Sequence, residues 1–453
     1  MDLAFRRAVA DARRLGSLGL ASLLSEHRID QAFGTARELW QGWLYTPAVT
    51  IWVFLAQCLS PDHSCRDAVA QLLAWRVASG QRPCSADTGA YCTAREALPE
   101  EACRQLVRDT GREAADAAPH TWRWLGRNVV VADGSTVTMA DTAENQAEYP
   151  QMAGLRPGCG FPIARIVVLF SLSVGTVLEA AIGRYHGKQT GENSLFRRLH
   201  DALAPGDVFL GDRYFAGWFD VALLQRRGVD VVLRKHQARA TDFRRGRRLG
   251  PDDHLVVWPK PNRPDWMSQE QYDLLPGELT LRELRVRVKQ RGFRSRTVIV
   301  VTTLLDAQEY PAGEIAQLYR RRWQAELNLR SLKIVLQMDH LRCKTPHRVR
   351  NELYMHLLAY NLIRQVLAAA ATAADVEPWK VSFKGALQTL TRMLPALHPC
   401  AGVEAWCISV LAAIAAHTVG NRPDRFEPRV LKRRGKTYSL MIHPRAHYKR
   451  LAA

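Results

Sequence analysis

Tyr319, Arg322, Glu326 and Lys333 stand in the stretch YRRRWQAELNLRSLK with the spacing Y-x-x-R-x-x-x-E-x-x-x-x-x-x-K. An α-helix, turning roughly 100° per residue, gathers these four within about 60° of its circumference, and Arg330 joins them. One carboxylate inside a band of cations suits a site that holds a metal ion and a polyanion together: the acid ligates the metal while the cations neutralise phosphates. The same face is also what a solvated helix with i,i+4 ion pairs such as Arg322 to Glu326 presents, so alone it leaves both readings open. Leu318, Ala325, Leu329, Leu332 and Leu336 fall on a separate stripe, with which the helix can dock on a core.

Two further carboxylates have the local context of a metal site. Asp133 ends the apolar run VVVAD, and the following Gly134 reads as a turn with room for a phosphate; Asp212 ends VFLGD and is followed by RYF. Each apolar run implies a strand buried on both faces, where an ionised Asp is costly unless a cation or hydrogen bonds compensate it. Either Asp alone is also a common strand-end or turn residue. Together with Glu326 they could place three carboxylates around two divalent ions, and all-oxygen ligands select Mg²⁺, with Mn²⁺ as a substitute. Such a pair of ions serves phosphodiester displacement, one activating the attacking oxygen and the other stabilising the leaving oxygen.

Other patterns support less. Gly158 and Gly160 in RPGCGFP precede a strand and not a helix, which excludes a dinucleotide loop. His120, His340, His347 and His356 lack zinc-site spacing, and Ser135 has no G-x-S-x-G elbow. Nine cysteines without a C-x-x-C pair argue against a zinc ribbon or a disulfide framework and read as buried or incidental thiols.

The elements that must carry the acids follow from periodicity. Residues 1–118 read as a helical N-terminal domain. Within it CRDAVAQLLAWRVA and SADTGAYCTAREAL make a helix pair, the second capped by Ser85 and carrying Tyr91 and Arg95 outward, as a DNA reader would. From 119 to 236 the runs NVVVADGSTVTMAD, ARIVVLFSLSVGTVLEAAIGRY, DVFLGDRYF and VDVVLRK are strands interleaved with helix, an α/β layer that resumes as helices over 306–420. Residues 237–305 read as a β-rich insertion. The tail 421–453 is strongly basic. No apolar stretch is long enough to span a bilayer and no signal peptide is visible, so a cytoplasmic protein is expected. Sixty-three Lys and Arg against 44 Asp and Glu give a net charge of +19 and a pI near 9.9, which attracts nucleic acid without regard to sequence.

At Asp133 in VVVADGSTVTMADT, Asp212 in LGDRYF, and Glu326 with Tyr319, Arg322 and Lys333, the sequence resembles the DDE transposases of bacterial insertion sequences, specifically the fourth insertion-sequence family. The likeness extends into RCKTPHRVRNELYMHLLAYNLIR and PCSADTGAYCTAR, and so covers most of the chain. It implies an RNase H-like core, a mixed sheet flanked by helices, with a β-strand insertion between the second Asp and the Glu. It also implies that Asp133, Asp212 and Glu326 are the catalytic metal ligands, and that Tyr319, Arg322 and Lys333 contact transposon-end DNA near the cleaved strand. The partner would be double-stranded DNA, both transposon ends and target, engaged by a homodimer at the bacterial nucleoid. Related enzymes form a hairpin at the DNA end and hold a flipped base on an aromatic residue, for which Trp258 and Trp323 are the candidates.

Overall fold

The computed structural model describes residues 24–38, 40, 44–287, 297–393, 403–420 and 440–451. Most of the basic tail, 421–439, lies outside the described residues. In chain order the helices are α1 (Glu26–Phe33), α2 (Pro47–Leu59), α3 (Cys65–Ala78), α4 (Gly89–Glu96), α5 (Glu100–Asp116), α6 (Ala143–Glu148), α7 (Glu192–Arg197), α8 (Trp218–Arg226), α9 (Gln269–Asp273), α10 (Ala312–Arg321), α11 (Trp323–Arg330), α12 (Pro346–Ala373), α13 (Phe383–Met393), α14 (Val403–Ala416) and α15 (Arg445–Leu451). The strands are β1 (Val129–Met139), β2 (Ile163–Ser171), β3 (Val177–Arg184), β4 (Val208–Gly211), β5 (Asp230–Arg234), β6 (Arg247–Gly250), β7 (Asp253–Pro259), β8 (Glu278–Arg287) and β9 (Thr297–Thr302). Among the described residues no helix is long and apolar enough to cross a membrane.

The chain divides into two compact units, the first comprising Met1–Trp122, Ser173–Glu179 and Leu327–Val419. Its helices start and stop where the sequence dictates. Thr46 caps α2 by accepting from the Val49 amide, with Pro47 as first residue, and the helix ends before Ser60–Pro61. Residues along most of α12 are buried, and Asn361 on it joins three segments. Its side-chain amide donates to the Val107 and Val177 carbonyls and its oxygen accepts from the Val177 amide at 2.7 Å. Gly111 on α5 is required there, since a Cβ would collide with the Val177 carbonyl.

Two expectations fail in this unit. Ser85 does not cap the second helix of the pair: its hydroxyl accepts from the Asp87 amide, and α4 begins only at Gly89 after Thr88. Tyr91 and Arg95 do not point outward, because Gln57 on α2 captures both. The Tyr91 hydroxyl donates to Gln57 Oε1 at 2.7 Å, and the Arg95 guanidinium donates to the same oxygen at 2.8 Å while lying 4.9 Å above the Phe54 ring. These two residues are core, so they are not a surface that reads DNA.

The unit also buries titratable rings. His63 and His356 lie with ring centroids 5.5 Å apart, and burial, then His63 and Arg342, push the His356 pKa down to about 3. The unfolded chain takes up this proton near 6.5, so stability falls as pH drops from there toward about 3. A His356→Phe variant is expected to lose roughly 1–3 kcal/mol less than the parent between pH 7 and pH 4. Urea melts at the two pH values test this, and equal losses would remove His356 as an acid-sensitive point.

The second unit comprises Arg123–Leu172, Ala180–Glu326 and Gly420–Ala453. Its strands form one sheet in the order β3-β2-β1-β4-β5-β9-β8-β7-β6, with β3 contributing here from Ala180. β1 pairs antiparallel with β2 and parallel with β4, and β4 pairs parallel with β5. That order and polarity over the first five strands is the RNase H-like arrangement. The strands within 237–305 continue the same sheet, because β9 pairs antiparallel with β5 and β8 follows it. The central strands are hydrophobic on both faces: Val129–Ala132 and Val208–Gly211 are buried throughout.

Candidate active site

The parallel register of β1 and β4 places the two aspartates. Val129, Val130 and Val131 pair with Val208, Phe209 and Leu210, and each Asp lies two residues beyond the last pair. They therefore share a face at the same level of two adjacent strands, roughly 5 Å apart in the hydrogen-bonding direction. Asp212 is held by its own turn: it caps the 3₁₀ turn Arg213–Phe215, Oδ1 accepting from the Arg213 amide at 2.6 Å. Asp133 Oδ1 accepts from the Gly134 amide at 3.0 Å.

Arg322 bridges to the third acid. Its side chain is 18% exposed and its Nη2 meets Glu326 Oε1 at 2.6 Å, whereas Glu326 is 56% exposed at the surface. Burial acts to lower the Arg322 pKa, but Tyr319, Glu326 and Asp212 outweigh it and hold the guanidinium above its ordinary value. Tyr319 is buried and its phenol accepts a hydrogen bond from Arg322; burial first, and Asp212 next among the raising groups, lift its pKa. Burial also pushes Asp133 up to about 6, with Arg322 opposing and Glu326 and Glu192 adding to the rise. Asp133, Asp212, Glu326, Tyr319 and Arg322 thus share one electrostatic neighbourhood within a single unit.

The helix that carries them is not the single straight α-helix of the sequence expectation. α10 stops at Arg321, α11 starts at Trp323, and Ser331–Val335 winds as a π-helix. The wider turn rotates Lys333 away from the ideal helical position, so the one-face argument holds for Tyr319, Arg322 and Glu326 and does not extend to Lys333. Arg330 is exposed and Lys333 half-buried; both belong to the first unit. The docking stripe is observed: Leu318, Ala325, Leu329, Leu332 and Leu336 are all buried.

Gly134 differs from expectation as well. It is not at a turn: β1 runs on to Met139, with Gly134 paired to Val167. The space beside it is filled by the carboxyl of Glu192, a residue that sequence reasoning missed because no motif marks it. Trp258 is unavailable as a base platform. It is 5% exposed, its Nε1 donates to Glu283 Oε1 at 3.2 Å, and the Arg239 guanidinium covers its ring at 4.0 Å. Trp323, beside Arg322, is 48% exposed.

Among the described residues no three His, Cys, Asp or Glu side chains converge tightly enough to enclose one ion. The donor set nevertheless fits a hard divalent cation. Two carboxylates stand side by side, a third reaches the same place through Arg322, and a buried Asp with a raised pKa gains from any cation that replaces its proton.

A family model described as the transposase DDE domain matches residues 124–362, more than half of the chain. The chain belongs to the DDE transposase family. The transposase InsG for insertion sequence element IS4 of Escherichia coli (strain K12) is 29% identical over 371 residues, covering 79% of each chain. The transposase for insertion sequence element IS421 of Escherichia coli is 38% identical over 69 residues, 15% of this chain and 19% of that one. Among solved structures, a cryo-EM structure of the piggyBac transposase synaptic complex with hairpin DNA aligns over 90% of this chain and 85% of its own, at a TM-score of 0.41 and 9% identity. The protein is therefore a transposase of the insertion-sequence type, an enzyme whose family generally uses a divalent metal. The matched span contains Asp133, Asp212 and Glu326, the acids that the fold draws together.

Proposed function

We propose that this transposase binds the inverted-repeat ends of its element, hydrolyses a phosphodiester at each end, and joins the freed 3′-hydroxyl to target DNA, using Mg²⁺ held by Asp133, Asp212 and Glu326. The observation that carries the proposal is the in-register placement of Asp133 and Asp212 on β1 and β4, with Arg322 linking both to Glu326. The divalent ions supply Lewis-acid activation of the attacking oxygen and neutralise charge at the leaving oxygen. Asp133 and Asp212 are fixed by strand and turn, so they hold a rigid half of the site. Glu326, on the exposed side, completes it when the Arg322 guanidinium turns from the carboxylate to a DNA phosphate. Tyr319 orients Arg322 for that exchange. Arg330, Lys333, the helical N-terminal domain and the basic tail add phosphate contacts, and binding should weaken steeply with salt. Since two DNA ends must be brought together, a homodimer forms in the DNA complex, at the nucleoid where its substrate lies.

The rival reading is an RNase H-like nuclease that cuts without joining. Supercoiled plasmid incubated with pre-cleaved end DNA, protein and Mg²⁺ separates the two. A transposase yields end DNA covalently joined to plasmid; cleaved plasmid with no joined product would support the nuclease and overturn the strand-transfer assignment.

A further inference from the structure

Glu192 is the first residue of α7, the helix that follows β3 and precedes β4. Its carboxyl lies on the Gly134 backbone, so closely that a Cβ on Gly134 would stand 2.5 Å from Glu192 Cδ and 2.8 Å from Oε1. Only glycine at 134 admits it. Gly134 directly follows Asp133 on β1, and consecutive strand residues present opposite faces, so Glu192 approaches from the face opposite Asp133. The edge of the sheet is open at this level. β4 pairs with β1 only as far as Val131 and ends at Gly211, leaving no strand beside Asp133 to separate the two faces.

α7 is anchored to the element that carries the second Asp. Phe196, fully buried, stacks on Phe209 of β4 at 4.4 Å between centroids and meets Phe215, in the turn capped by Asp212, at 5.0 Å. Glu192 is thus braced against β1 on one side and tied to the Asp212 turn on the other. Its carboxylate is half-buried, yet it forms no ion pair and accepts no hydrogen bond among the described residues. A fourth carboxylate near three others, with Arg322 as the cation they share, is repulsive unless further positive charge joins them. An ordinary helix-start acid, favoured by the helix dipole, has no need of a neighbouring residue without a side chain.

We propose that Glu192 is a fourth carboxylate of the metal site, with Asp133, Asp212 and Glu326, and that Gly134 exists to let it in. This rests on the metal-site reading above, and the experiment separates the two. Mn²⁺ binding to the full-length protein without DNA is followed by the loss of the free-ion signal in electron paramagnetic resonance, for the parent, Glu192→Gln, Gly134→Ala and Asp133→Asn. Glu192→Gln and Gly134→Ala, the second keeping every acid but displacing one, should each weaken Mn²⁺ binding by about 10-fold, the scale of losing a supporting ligand. Asp133→Asn should weaken it further. Parent-like binding in Glu192→Gln with weakened binding in Asp133→Asn overturns the role of Glu192 and leaves the three-acid site standing. Parent-like binding in all three variants, or no saturable binding by the parent, overturns both. Should Gly134→Ala fail to fold, Glu192→Gln alone decides; a change in thermal melting without a change in Mn²⁺ binding marks Glu192 as a helix-start residue only.

Discussion

Asp133→Asn is expected to abolish DNA cleavage and to make the metal-free protein more stable. The substitution keeps the shape of the side chain and the acceptor that meets the Gly134 amide, but removes the charge that would hold the cation. The loss of turnover should be at least about 10³-fold, the scale of removing one principal electrostatic group from an active site. Stability moves the other way. Burial pushes the Asp133 pKa up from 3.8 to about 6, so the folded protein holds this proton more tightly than the unfolded chain. Folding stability therefore falls as pH rises from about 4 to about 6, and the full cost is present at neutral pH. Two pKa units set an upper bound near 3 kcal/mol; partial exposure and the counter-charge of Arg322 reduce it to roughly 1–2 kcal/mol. Urea melts of parent and variant in chelator should show the variant ahead at pH 7.5 and level with the parent below pH 4. Added Mg²⁺ should stabilise the parent and not the variant. A variant that cleaves normally, or one less stable than the parent at pH 7.5 in chelator, would remove Asp133 from the site.

The opposed movements of activity and stability explain why the acids were legible in the sequence. An Asp at the end of a buried apolar run is a local contradiction, and such contradictions concentrate where function demands them. Both aspartates announced themselves in this way, and the docking stripe beside Glu326 fixed which side of its helix faces the core. The strands within 237–305 were visible for the same reason, as alternating or apolar runs. What escaped was set by contacts between residues distant in sequence. Nothing near Glu192 tells that its carboxyl will rest on Gly134, and nothing near Tyr91 or Arg95 tells that Gln57 will draw both inward. The break at Arg322 and the π turn at Ser331–Val335 were hidden because local propensity there favours an unbroken α-helix.

Lys235→Met should be the most damaging single substitution for the stability of the sheet. Lys235 follows β5 directly, and its backbone amide continues the ladder to the Ile299 carbonyl at 2.8 Å. Its ammonium is buried and uses all three donors: Glu283 Oε2 at 2.6 Å, the Ala240 carbonyl at 2.6 Å and the Thr241 hydroxyl at 2.8 Å. Glu283, on β8, is equally buried, its other oxygen taken by Trp258 Nε1 from β7. One ion pair therefore ties the end of β5 to β7, to β8 and to the loop that follows it. With methionine at 235 the Glu283 carboxylate is left buried beside an indole N–H alone, and leaving one member of a buried pair uncompensated costs about 3–5 kcal/mol. A Lys235→Met/Glu283→Leu double variant removes both charges and should recover most of that loss, because the pair as a whole contributes far less than breaking it takes away. The consequence reaches the site through the neighbouring residue. Arg234 lies within electrostatic range of Tyr319, and consecutive residues at a strand end face opposite ways, so Lys235 and Arg234 share one stretch of backbone between the insertion and the acids. Urea unfolding of the two single variants and the double measures the coupling. A cost below about 1 kcal/mol for Lys235→Met, or a double variant no better than the single, would mean that the buried pair does not hold β5 to the strands of the insertion.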